Sequence, residues 1–126
     1  MPEDTSPRAI AEELFERMGD DRRDTIGELL ADDVRIVVPG GAFEGPDAAT
    51  RLLDHLAPRY NWAAKEFDRW IETESSAVNI GTLYGVDSDG EEFAGVRYVD
   101  VFDVEDGRIV RWEFWNDLAV DGVVEP

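Results

Sequence analysis

The chain has no cysteine, one histidine and one lysine among its 126 residues. Without thiols there is no disulfide framework, no cysteine nucleophile and no Cys-ligated metal, and a single imidazole does not make a common transition-metal site. No cofactor is expected. No apolar run approaches the length of about 18 residues that spans a bilayer. Met1-Pro2-Glu3-Asp4 is acidic where a secretory signal is basic, so a soluble, cytoplasmic protein is expected. Gly-rich phosphate loops, Walker sequences and G-x-S-x-G elbows are also missing. Asp87-Ser88-Asp89-Gly90 is a fragment of a calcium loop without its distant Glu and reads as a hairpin turn.

Basic residues are scarce, 12 against 30 acidic ones, for a net charge of −18. Such a surface repels nucleic-acid phosphates and anionic lipid, so neither partner is expected. Retaining Arg while nearly eliminating Lys65's residue type goes beyond mere acidity and predicts adaptation to high salt, where self-repulsion is screened.

What is present reads as one domain over 1–126, with a core from about 6 to 118. Ser6-Pro7 is an N-cap followed by Pro at the first helical position, and Ile10, Leu14, Phe15 and Met18 recur at helical spacing, predicting a helix from Pro7 to Met18. Gly19-Asp20-Asp21 stops it. A short helix from about Asp24 to Leu30 turns Ile26, Leu29 and Leu30 inward. Val34 to Val38 is a short strand cut off by Pro39-Gly40-Gly41. After Gly45-Pro46-Asp47 a third helix carries Ala49, Leu52, Leu53 and Leu56 on one stripe and ends before Pro58. Four strands follow, Lys65 to Thr73, Ala77 to Val86, Glu92 to Val104 and Arg108 to Asp117, ahead of a loose tail. Three N-terminal helices and then long antiparallel strands predict an α+β domain, the helices held in a strongly curved, mainly antiparallel sheet shaped as a cone with a central pocket. Gly81 and Gly85 at alternate positions suit a bend or the close approach of another surface.

The last two strands fix the site. Glu105-Asp106-Gly107 reads as a three-residue loop with a G1 bulge, which places Asp100 opposite Trp112 and Tyr98 opposite Phe114. Asp100 is then the only ionisable carboxylate on a face of Val96, Tyr98, Phe102, Val104, Val110, Trp112 and Phe114, with Asn116 the only other strongly polar group. Arg97 and Arg111 point the other way, so no basic neighbour shares its face. Desolvation raises a carboxyl's pKa and suits it to act as general acid or base, or as a hydrogen-bond donor to a carbonyl. The structural alternative is a carboxylate bonded to Tyr84, Tyr98 or Asn116, or exposed at a frayed edge. Leu83, Val99, Val101 and Trp115 are expected to form an apolar outer face and a homodimer interface.

The phrase Leu29-Leu30-Ala31-Asp32-Asp33-Val34 leading to Pro39-Gly40, the Gly45-Pro46-Asp47 helix start, and Val101-Phe102-x-Val104-x-Asp106-Gly107-x-Ile109 with Trp112 beyond it resemble the nuclear transport factor 2-like superfamily. Within it the resemblance is to the SnoaL-like polyketide cyclase and ketosteroid isomerase branch, over about Ser6 to Leu118. It implies a cone with a pocket between sheet and helices, and often a dimer. Carried over by position, the isomerase base falls on Val38 and its Tyr on Phe15, while its strand Asp is retained as Asp100; the water-activating Asp of limonene epoxide hydrolases falls on Phe114. Neither of those two chemistries is therefore expected. The expected function is an isomerase, cyclase or hydratase acting on a small apolar carbonyl compound through Asp100. Asn116, Tyr84, Tyr98, Trp112, Phe114, His55, Phe15 and Val38 are its candidate ligand contacts. The alternative is a non-catalytic binding or accessory domain on the same scaffold. His55 either enters the pocket or borders it, and Trp62, Trp70 and Trp115 close the pocket or form a dimer patch.

Overall fold

The computed structural model describes residues 5–19 and 22–124, so the expected stop at Asp20-Asp21 and the two chain ends lie outside the described residues. Helix α1 (Pro7–Gly19) opens as its sequence dictates, with Ser6 Oγ accepting the Ala9 N–H at 3.3 Å and Pro7 in the first turn. It buries Ile10, Ala11 and Leu14 completely. A 3-10 helix (Arg23–Leu29) follows and buries Ile26 and Leu29. Arg17, itself only 6% exposed, fastens the two together by donating to Glu13, to the Thr25 carbonyl and to Glu28, each at 3.0 Å. Helix α2 (Ala48–Leu56) buries Ala48, Leu52 and Leu56.

Six strands complete the fold: β1 (Leu30–Val38), β2 (Gly41–Glu44), β3 (Tyr60–Glu72), β4 (Ser76–Asp87), β5 (Glu92–Glu105) and β6 (Arg108–Asn116). They form one curved, unclosed mixed sheet in the order β2-β1-β6-β5-β4-β3. Among the described residues only the β1–β6 pair is parallel. The sequence reading missed β2, whose four residues fold back on β1 through Pro39-Gly40, with Gly40 at φ 85°. It also started β1 and β3 too late, because neither Leu30–Asp33 nor Tyr60–Ala64 alternates cleanly.

The last hairpin differs from the expected one. Glu105 pairs with Arg108, and both residues between them, Asp106 (φ 52°) and Gly107 (φ 76°), are left-handed, the conformation of a two-residue type I′ turn. Val110 is then the extra residue of a bulge, so Ile109 takes the buried place expected for Val110. Asp100 consequently pairs with Phe114 rather than Trp112, and Tyr98 with Asn116. The faces of β5 are unchanged, since both registers keep the same parity.

The main core joins α1, the 3-10 helix and α2 to Val34, Ile36, Val38, Phe102, Val104, Ile109 and Trp112. On β4 the inward set is Ala77, Asn79, Gly81, Leu83 and Gly85. Leu83, expected outside, is therefore buried, and Val78, Ile80 and Tyr84 take its place on the outer face beside Val99, Val101 and Trp115. Among the described residues no helix is long and apolar enough to cross a membrane.

Candidate functional site

Between the sheet and the helices lies a cavity of about 780 Å³. Phe15 from α1, His55 from α2, Val38 from β1, Tyr98 and Asp100 from β5, and Trp112, Phe114 and Asn116 from β6 all line it. Eight of the nine predicted site residues thus meet in one place. The ninth, Tyr84, does not. It stands on the outer face of β4 with its ring 6.0 Å from that of Trp62, because β4 turns its glycine-bearing face inward.

Asp100 is 1% exposed. The expectation that no cation shares its face is overturned by Lys65, which reaches across from β3 to place Nζ 3.3 Å from Asp100 Oδ2. The contact is an ion pair without hydrogen-bond alignment, since that oxygen has no aligned donor among the described residues. The same ammonium lies 4.4 Å from the centre of the Tyr98 ring and 5.0 Å from that of Phe15, inside cation–π range of both. Burial pushes the Asp100 carboxyl above its ordinary value of 3.8, and Lys65 and then the Trp112 indole N–H oppose the shift. That indole nitrogen is itself buried without an aligned acceptor among the described residues, so it lowers the carboxyl's pKa from a distance or angle short of a good hydrogen bond.

The other polar groups divide by whether the protein already satisfies them. Tyr98 donates its hydroxyl to Asn79 Oδ1 at 2.5 Å, and Asn79 Nδ2 donates to the Arg69 carbonyl at 3.4 Å. Only the Tyr98 ring is thus offered to the cavity; burial, then the charge of Asp100, push its phenol well above the ordinary tyrosine range. Asn116 Oδ1 accepts the Leu118 N–H at 3.2 Å. His55 sits at the margin with its ring 5.7 Å from that of Phe43, and burial followed by the charge of Arg59 lowers its pKa. Phe15 contacts Phe67, Trp70 and Phe102, which makes the helix-side wall aromatic. Trp62 also lines the cavity, whereas Trp115 is 45% exposed on the outer face.

The cavity gathers residues that sequence reasoning did not single out: Lys65, Tyr60, Arg23 and Arg59. Only Lys65 carried a signal, as the sole lysine of a chain that otherwise uses arginine. Among the described residues no group of three or more potential metal ligands converges.

Residues 11–112 match the SnoaL-like domain family. The chain belongs to that family. Its fold is shared by an NTF2-like protein of unknown function from Burkholderia pseudomallei, 22% identical, with a TM-score of 0.83 over 95% of this chain and 98% of that one. TerC, co-crystallised with polyporic acid, is 22% identical, with a TM-score of 0.79 over 96% of this SnoaL-like chain and all of that one (100%). A candidate SnoaL-like polyketide cyclase from Jannaschia is 20% identical, with a TM-score of 0.80 over 100% and 96%. At these identities the likeness establishes the NTF2-like, SnoaL-like fold. No curated protein matches this SnoaL-like chain in sequence.

Proposed function

We propose that this SnoaL-like protein is an enzyme of the isomerase, cyclase or hydratase kind, acting on a small apolar carbonyl compound with Asp100 as its proton-handling group. The observation that carries the reading is a fully buried carboxyl in the wall of a largely aromatic cavity, held between one ammonium and one indole N–H. Structural carboxylates are normally satisfied by aligned donors; this one has an oxygen without any among the described residues. Protonated, as burial favours, Asp100 donates to a ligand carbonyl oxygen and withdraws electrons from the adjacent carbon. Ionised, it accepts a proton from the α-carbon next to the carbonyl carbon, whose C–H electron pair becomes the C=C bond of the enol or enolate. Lys65, 3.3 Å away, stabilises the carboxylate in either direction of transfer. The co-crystallisation of TerC with polyporic acid supports a small organic ligand in this scaffold.

Proton exchange tests the proposal directly. Ketones and quinones of a size to fit the cavity are incubated with the protein in D2O, and deuterium entry or rearrangement is followed by NMR. Asp100→Asn keeps the shape and removes the titrating proton, so turnover is expected to fall by about 10²-fold or more, the usual contribution of a general acid or base, while binding persists. Unchanged turnover in the variant would sink the catalytic role. A second reading, a non-catalytic binding domain, is supported by Val38 and Phe15 standing where ketosteroid isomerases carry their base and tyrosine; it predicts binding without exchange by either protein.

A further inference from the structure

The charges around the cavity are not evenly matched. Of the acidic residues in its wall, Glu12 is paired with Arg8 at 3.3 Å, Glu16 with Arg22 at 3.9 Å and Asp100 with Lys65 at 3.3 Å. Arg23 and Arg59 also line the wall, and neither forms an ion pair among the described residues. Two guanidiniums without a carboxylate are unexpected where acidic residues outnumber basic ones 30 to 12. Both are half-buried. Arg23 is held in place by its Nε, which donates to the Met18 carbonyl at 2.8 Å and leaves its terminal nitrogens without a partner among the described residues. Arg59 makes no side-chain hydrogen bond among them. Tyr60 lines the same cavity as Arg23, Arg59 and Asp100, and its phenol feels the charges of all three and makes no hydrogen bond among the described residues.

We infer that the cavity takes an apolar ligand that also carries an anionic oxyacid group, a carboxylate or its like, bound by Arg23 and Arg59 with Tyr60 as an added donor, while the ligand's other end lies at Asp100 and Lys65. The inference rests on the cavity being a small-molecule site, as proposed above. Guanidinium forks suit a carboxylate's paired oxygens, and a half-buried setting strengthens the attraction relative to the open surface. In a chain of net charge −18 the surface as a whole repels an organic anion, so the two arginines act as a selector as well as an anchor.

The experiment uses two fluorescent probes that differ only by the acid group, 8-anilinonaphthalene-1-sulfonate and uncharged N-phenyl-1-naphthylamine, titrated into the full chain. The expected result is tighter binding of the sulfonate despite the protein's charge. Arg59→Gln, which breaks no side-chain bond among the described residues, should weaken the sulfonate by about tenfold, as loss of a charge-assisted hydrogen bond does, and leave the neutral probe unchanged. Arg23→Lys should retain most of the binding and Arg23→Gln lose it. Neutral-probe binding without preference for the sulfonate overturns this inference and leaves the cavity reading intact. Sulfonate binding indifferent to both arginines arises elsewhere on the surface and overturns it too. If neither probe binds, the cavity reading falls with it.

Discussion

Asp100 has a single carboxyl and two opposing influences, and their balance sets how the protein responds to pH. Burial favours the neutral acid, and Lys65 and the Trp112 N–H favour the anion; burial is the larger, so the folded pKa lies above the unfolded value near 3.8. The native state then binds the extra proton more tightly. Stability contributed by this group is fully present below about 3.8, where both states are protonated, and is lost as pH rises through the window up to the folded pKa. The melting temperature of Asp100→Asn minus that of the wild type should therefore increase with pH across that window and be flat below it. Lys65→Met should push the carboxyl's NMR titration higher still, and a titration that stays put or falls would show that Lys65 does not act on it. Asp100 was legible because strand alternation alone sets it between Tyr98 and Phe102, whichever register the hairpin takes. Lys65 was not. The extra residues Asn61 and Asp68 interrupt the alternation of β3, so the inward set Lys65, Phe67 and Trp70 keeps no single period.

At the level of elements, the bulged strand β3 and the glycines of β4 act as one device. An added Cβ at Gly81 would stand 2.1 Å from the Glu66 carbonyl oxygen and 2.9 Å from the Tyr98 hydroxyl, and one at Gly85 would stand 2.1 Å from the Trp62 carbonyl oxygen. The two strands approach too closely there for any side chain, and this approach brings Lys65 over Tyr98 and within reach of Asp100. Gly81→Ala should thus destabilise the fold by about 1–3 kcal/mol, the usual cost of overpacking, because the obstructing atom is backbone. Gly41→Ala meets only a Val38 methyl at 3.8 Å and should stay within about 0.5 kcal/mol of the wild type. Urea midpoints of the two variants check this, and equal midpoints would argue against the close approach. The glycine spacing was readable as a bend or close contact. Its inward direction was not, since Val78, Ile80 and Tyr84 are the more apolar set and still face outward.

Over the whole molecule, the order of elements and the enclosing sheet followed from hydrophobic periodicity, whereas the parallel pairing of β1 with β6 depends on contacts between segments far apart in the chain. Charge acts at this scale as well. Several ion pairs among the described residues are solvent-exposed on both sides, such as Arg8–Glu12 with side chains 47% and 48% exposed, and exposed pairs contribute little. Acidic residues exceed basic ones by 18, so mutual repulsion would persist even if every cation were paired. Raising salt from about 0.1 M to about 1 M shortens the Debye length from roughly 10 Å to roughly 3 Å and weakens both effects. The repulsion has more to lose. Lys65–Asp100, whose carboxyl is buried, is screened far less than the surface pairs. The melting temperature should therefore climb with sodium chloride over that range. The climb should shrink near pH 4, where half-protonated carboxylates repel one another less. Scanning calorimetry at both pH values decides the matter, and a melting temperature that is flat or falls with salt at pH 7 would show that the surviving pairs outweigh the excess charge.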